Sequence, residues 1–336
     1  MLGSIQQQQR GGGAVVTPPA SNHSDGTLVD RRFGYGAGVT PPSNVVTVSN
    51  WSELASAITA GNVWARWSSA IDGQVVSITS NISAGPNVWV DGYDCPNTIF
   101  RTSSAGTRGI TFRNGNGVVS GMKIDSNNIS STRIWFLYGQ HYWADKIETY
   151  NSNDDVIIMS SDNQPDLSDV TISYIHTHDN SRGMLVNAKT TNGSVRRITI
   201  CNSRFNDNGI RNWRWQASDE MHSFNNYVHD CSIGINGRIT SGNVGSNTLN
   251  RAIIESSVFE NVGNPLNIQN PGGSLAFQYD HWAYSDGLND YGGGSIIGQV
   301  DDPSAPAAHT IPYSYIKLPT AQVKAHVLAN AGVESL

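Results

Sequence analysis

The chain is short of charge. Of its 336 residues only 14% are Asp, Glu, Lys or Arg, and the formal net charge is −6. No block of like charges forms a tail, and without a basic patch or stripe a nucleic-acid partner is excluded. No run of eighteen apolar residues occurs, so no helix is expected to cross a membrane. Cysteine is scarce: Cys95, Cys201 and Cys231 are the only three, and none forms a C-x-x-C pair. Two readings stay open for them, one disulfide with a spare thiol, or buried thiols. Asn-Gly and Asp-Gly pairs between alternating strands are few, which argues against an antiparallel sandwich built on two-residue hairpins. The opening MLGSIQQQQRGGGAVV has no basic segment followed by an apolar one, so no ordinary secretory signal is read there.

What is abundant is turn chemistry. The 34 glycines and the frequent Asn, Ser and Thr suit many short strands joined by tight corners. Residues 1–44 hold four glutamines, a Gly triplet and Thr-Pro-Pro twice, with little apolar periodicity. They read either as a disordered leader or as an extended arm that orders against a neighbouring subunit or a particle. Organised sequence starts at the alternating Val45–Val48. A short helix is expected next, with Asn50 as N-cap, Glu53 at the capping-box position and Gly61 as a stop. Its face of Trp51, Leu54, Ala55 and Ile58 would cover the open end of a stack of strands. Residues 45–300 form the repetitive domain. Residues 301–336 form a tail whose last helix is expected over Thr320 to Asn330, with Gly332 as its stop and Val323, Val327 and Leu328 packing back.

The repeat is clearest between Ile172 and Val262. ISYIHTHDN, ICNSRFNDN, SFNNYVHDC and IESSVFENV lie in register, their starts 28, 23 and 31 residues apart. Apolar positions recur, and Asn or Asp returns near the end of each. A variable period of this size fits a solenoid with loops of unequal length at its corners, each turn carrying three short strands. The second repeat runs on into Arg211, Trp213, Arg214 and Trp215. Strand alternation would place Arg211, Trp213 and Trp215 on one face, a cation beside an aromatic platform for sugar rings. His176, His178, His222 and His229 have no Cys or Glu in ligand spacing, so no zinc site is expected and turn hydrogen bonding is their reading.

These segments together resemble the pectate lyase family. VTVSNWSELASAI is similar to its strand-then-helix opening, VTISYIHTHDN with ITICNSRFNDN and MHSFNN to its serial middle, and YSYIKLPTAQVKAHVLANAGV to its closing helix. The resemblance covers about residues 45–336 and implies a right-handed parallel β-helix acting on an acidic polysaccharide by β-elimination. It implies calcium ligands at Asp145, in Trp143-Ala144-Asp145-Lys146, and at Asp154, in Asp154-Asp155-Val156-Ile157-Ile158. A second carboxylate of that motif is Ile158 here, which weakens the implied Ca2+ site. The substrate-gripping lysine falls on Arg182, and the catalytic arginine on Arg211. Arg214 keeps the next arginine, whereas Trp213 and Gln216 replace a proline and a third arginine. Arg182, Arg214, Trp213 and Trp215 are thus the expected sugar contacts, in a protein that is extracellular or on a virion surface. Metal-independent pectin lyases offer a precedent for an aromatic-rich cleft without calcium. The competing reading is a virion-associated β-helix that binds host glycans, or serves structurally, and meets other virion proteins through its N-terminal arm.

Overall fold

Each turn of the chain changes direction at single residues of left-handed backbone. One corner falls successively on Gly121, Lys146, Tyr174, Asn202, Asn225 and Ser256, with φ between 43° and 64°. The next falls on Asn127, Asn151, Asp179, Asp207, Asp230 and Asn261, with φ between 49° and 57°. Short Asn and Asp side chains tolerate this region best, which is why they return at the end of each sequence repeat. Between the corners the chain is extended. Leu167–Ser173, His176–His178 and Met184–Asn187 make one turn. They pair in parallel with Val195–Cys201, Arg204–Asn206 and Trp213–Gln216 of the next. Every strand pairing among the described residues is parallel, from Val45–Val48 to Ile297–Gly298. The architecture is the expected parallel β-helix, and the antiparallel sandwich is ruled out.

This computed structural model describes residues 33–130, 133–161, 166–187, 194–216, 218–238, 250–269, 281–302 and 305–333. The glutamine-rich leader lies outside them.

Inward residues stack in columns. Ile157, Met184, Trp213 and Ile235 follow one another from turn to turn, and so do Val170, Ile198, Met221 and Ala252. All are buried in one continuous core. The helix α1, Trp51–Thr59, closes one end by burying Trp51, Leu54 and Ile58. Its cap forms as read, the Glu53 amide donating to Asn50 Oδ1 at 3.0 Å, while the Glu53 carboxylate accepts at Oε2 from the Ser49 amide at 2.7 Å, one residue before the cap. Helix α2, Thr320–Asn330, buries Val323 and Val327 against Tyr227 and Val258. Leu328 instead faces outward and is 45% exposed, because it lies off the Val323–Val327 stripe. All three cysteines are free thiols.

The start of the described chain and the segment before helix α2 both lie on the face made by the long first strands. The Tyr35 amide donates to Thr199 Oγ1 at 3.1 Å and the Gly36 amide to Thr171 Oγ1 at 2.8 Å. A Cβ on Gly36 would meet the Tyr142 carbonyl oxygen at 2.3 Å, so only glycine lets the backbone lie this close. From the other end Tyr313 bonds Thr199 Oγ1 and His222 Nδ1, and packs edge-on against Tyr35. The described part of the N-terminal arm thus orders against the chain's own sheet.

Candidate functional site

The site is built where the second strand of a turn gives way to the third. Ile157, Met184 and Trp213 are aligned in register. The residues two places before them, Asp155, Arg182 and Arg211, therefore form a column at this corner. Arg182 Nη1 is 3.0 Å from Asp154 Oδ1 and 3.9 Å from Asp155 Oδ2. Arg211 reaches past that turn to set Nη2 3.3 Å from Asp155 Oδ1. Arg182 and Asp154 are about two-fifths exposed, whereas Arg211 and Asp155 are buried. Burial pushes the Asp155 carboxyl up, with the Arg211 charge pulling the other way. Burial likewise pushes Arg211 down, with Asp155 opposing. Arg214 lies within electrostatic range of Asp155. Three guanidinium groups and two carboxylates leave this corner with one net positive charge, on a chain that is negative overall.

The neighbouring strands present their outer faces beside it. Trp135, Ile158, Leu185 and Arg214 succeed one another in register. All four are half-buried, and the Arg108 guanidinium sits 4.9 Å from the Trp135 ring centre. The ladder sets apolar side chains between the guanidinium groups of Arg108 and Arg214, a surface suited to a sugar chain that carries carboxylates.

Three expectations need correction. Trp213 and Trp215 point into the core with no exposed surface, so no sugar can stack on them. They share their face with Met184 and Val186 of the preceding turn, whereas Arg211 precedes the strand and lies in the corner. The half-buried aromatic on the outer face is Trp135. Its place could have been found by carrying the Met184–Val186 alternation onto the parallel neighbours.

The second correction concerns Asp145 and Asp154, which do not meet. The strand Glu148–Ser152 runs between their corners, about 17 Å of extended chain. Asp145 is buried, accepting from Tyr93 Oη and Ser173 Oγ, each at 2.6 Å. The third is the calcium set. Asp154 and Asp155 are already paired with Arg182 and Arg211, and Ile158 offers no oxygen. A hard cation wants six to eight oxygens with several free carboxylates. The residues present do not fit calcium at this corner.

An acidic and histidine cluster does exist elsewhere. Ligand atoms of Glu148, His176 and His178 lie within 4.8 Å of one another. A cavity of about 750 Å³, lined by Asn114, Asn116, Gln140, His141 and Asp166 among others, opens at a third corner. It holds a carboxylate and no arginine, so the arginine corner is the better match to an acidic ligand. No helix among the described residues is long and apolar enough to cross a membrane.

Comparison with solved structures agrees with this architecture. The major cedar pollen allergen jun a 1 superposes with a TM-score of 0.65 at 11% identity, covering 91% of this chain and 94% of that one. A pectate lyase variant from Xanthomonas campestris gives 0.57 at 20% identity, covering 90% and 98%. The pectate lyase of Bacillus sp. N165, crystallised with trigalacturonate, gives 0.57 at 17% identity, covering 89% and 98%. No curated protein sequence matches. The pectate lyase family model matches residues 119–336, more than half of the sequence, and by that match the chain belongs to the pectate lyase family.

Proposed function

We propose that the protein binds an acidic polysaccharide across the arginine corner and cleaves it by β-elimination without calcium at that corner. The observation that carries this reading is the column of Asp155, Arg182 and Arg211, with Arg214 on the adjoining strand. Eliminating across a uronate breaks a ring C–H bond and the glycosidic C–O bond, forms a C=C bond between the two ring carbons, and leaves the departing sugar oxygen to take a proton from solvent. The proton is acidified when the neighbouring carboxylate is neutralised. Arg182 and Arg214 supply that neutralisation here, as planar donors that match a carboxylate. Arg211 stands in the base position. To accept the proton it must be neutral, and burial moves it that way. Cleavage therefore calls for alkaline conditions, and the Arg211–Asp155 pair must open as substrate enters.

The test is incubation with polygalacturonate, other polyuronates and esterified pectin, following absorbance of unsaturated chain ends from neutral to alkaline pH. Product should form on an acidic glycan, rise with pH and persist in a chelator. Arg211→Lys should lower the rate by about 10²-fold or more, the range for loss of a positioned base. No product on any substrate, together with unretarded migration through gels containing those glycans, removes the reading. Retardation without product keeps the binding face and discards Arg211 as the base.

A further inference from the structure

The outer face of the second strands carries a group of side chains that the arginine corner does not use. His176 and His178 stand two apart on one strand and so project from the same face. Glu148 is His176's register partner on the preceding turn. We propose that Glu148, His176 and His178 form a binding site for a borderline divalent metal ion of the zinc class, separate from the sugar-facing corner. Sequence spacing hides this set, because its carboxylate comes from the turn before, 28 residues upstream of His176.

The geometry supports the assignment. The ligand atoms already lie within 4.8 Å of one another, all three from rigid strands. Tetrahedral zinc with bonds of ~2.0 Å separates its ligands by about 3.3 Å, so the side chains, the stacked imidazoles included, must turn inward to close around an ion, His176 through the ring nitrogen that Asn206 does not hold. Glu148 is 2% exposed, and its Oε2 is buried without a hydrogen-bond partner. A buried oxygen in that state is a strong acceptor for a further cation beside Lys123, which pairs with Oε1.

His178 has Asp179 Oδ2 at 2.7 Å from Nδ1 and Glu148 Oε1 at 3.3 Å from Nε2. A neutral imidazole has one N–H to donate and cannot serve both carboxylates. In the neutral ring, Asp179 holding Nδ1–H would present Nε2 to the cluster as a bare nitrogen. This is the carboxylate–histidine arrangement that orients metal-binding imidazoles. His178 stacks on His176 at 4.3 Å and on Tyr150 at 5.1 Å. Lys123 Nζ, 3.0 Å from Glu148 Oε1, is the cation a metal would displace from that oxygen. Two nitrogens and one carboxylate match zinc, cobalt(II) or nickel(II) and suit calcium poorly.

The full chain, stripped with a chelator and dialysed, is titrated with zinc chloride by calorimetry and with cobalt(II) by visible absorption. One equivalent should bind, with the intense cobalt bands of a four- or five-coordinate site. Glu148→Gln and His178→Gln should each weaken binding by about 100-fold or more. Asp179→Asn, which tolerates the same left-handed corner, should weaken it about tenfold, as outer partners of metal-bound histidines do. Lys123→Met should tighten it. Circular dichroism of each variant separates loss of the site from loss of the fold, and His178, 17% exposed, and the exposed Asp179 both lie outside the apolar core. Failure of the unaltered chain to bind either metal overturns the proposal, and so does equal affinity in folded His178→Gln and Glu148→Gln.

Discussion

His309 offers a sharp test of how the C-terminal arm is held. It is 9% exposed, and neither ring nitrogen has a hydrogen-bond partner. Burial holds its pKa down to about 4, with Asp219 pulling up and Arg251 and His222 pushing further down. Arg251 pairs with Asp219 at 2.7 Å and also donates to the Ala307 carbonyl at 3.1 Å, so the arm around His309 is clamped over that ion pair. Because the docked pKa lies below the free value of about 6.5, the released arm binds more protons between those limits. Docking is therefore unimpaired above pH ~6.5 and loses stability as pH falls toward 4. At 1.36 kcal/mol per pH unit the loss is ~2 kcal/mol at pH 5, and at most ~3 kcal/mol below pH 4. Hydrogen exchange of the amides in 305–318, measured from pH 7 to pH 4 and corrected for intrinsic rates, reads the opening equilibrium. His309→Phe keeps the ring volume and removes both orphan nitrogens. It should abolish His309's share of the pH slope and strengthen docking at neutral pH. An unchanged slope in that variant would refute the role given to His309.

Trp213→Ala should cost about 3–5 kcal/mol in urea unfolding, the range for emptying a buried aromatic site, because the ring is wholly inside. A loss of glycan affinity with no change in stability would instead return Trp213 to the sugar face. Trp135→Ala should do the opposite, weakening retention in glycan gels severalfold while shifting the urea midpoint much less. Asn50→Ala removes the acceptor of the Glu53 amide and should cost about 1 kcal/mol of stability, read from the same denaturation curves.

Much of the fold was legible because a left-handed corner restricts residue type. Asp179, Asp207, Asp230 and Asn261 occupy one such corner on successive turns, and they are the residues whose return marks the sequence repeat. Helix α1 was legible for a local reason too, since its cap and box lie within five residues. The site was harder. Arg211 and Asp155 touch across 56 residues, and Glu148 faces a histidine from the following turn. Such contacts follow from register, which unequal corner loops conceal. Trp213 and Trp215 show what happens without it: period two fixes that they share a face, and cannot say whether that face is inside. Met184 and Val186, aligned beside them, decide it. In a parallel stack the neighbour one turn away carries the information that composition and spacing lack. Arg211 is thus read through the column it shares with Asp155 and Arg182, where a carboxylate from an earlier turn supplies its counter-charge.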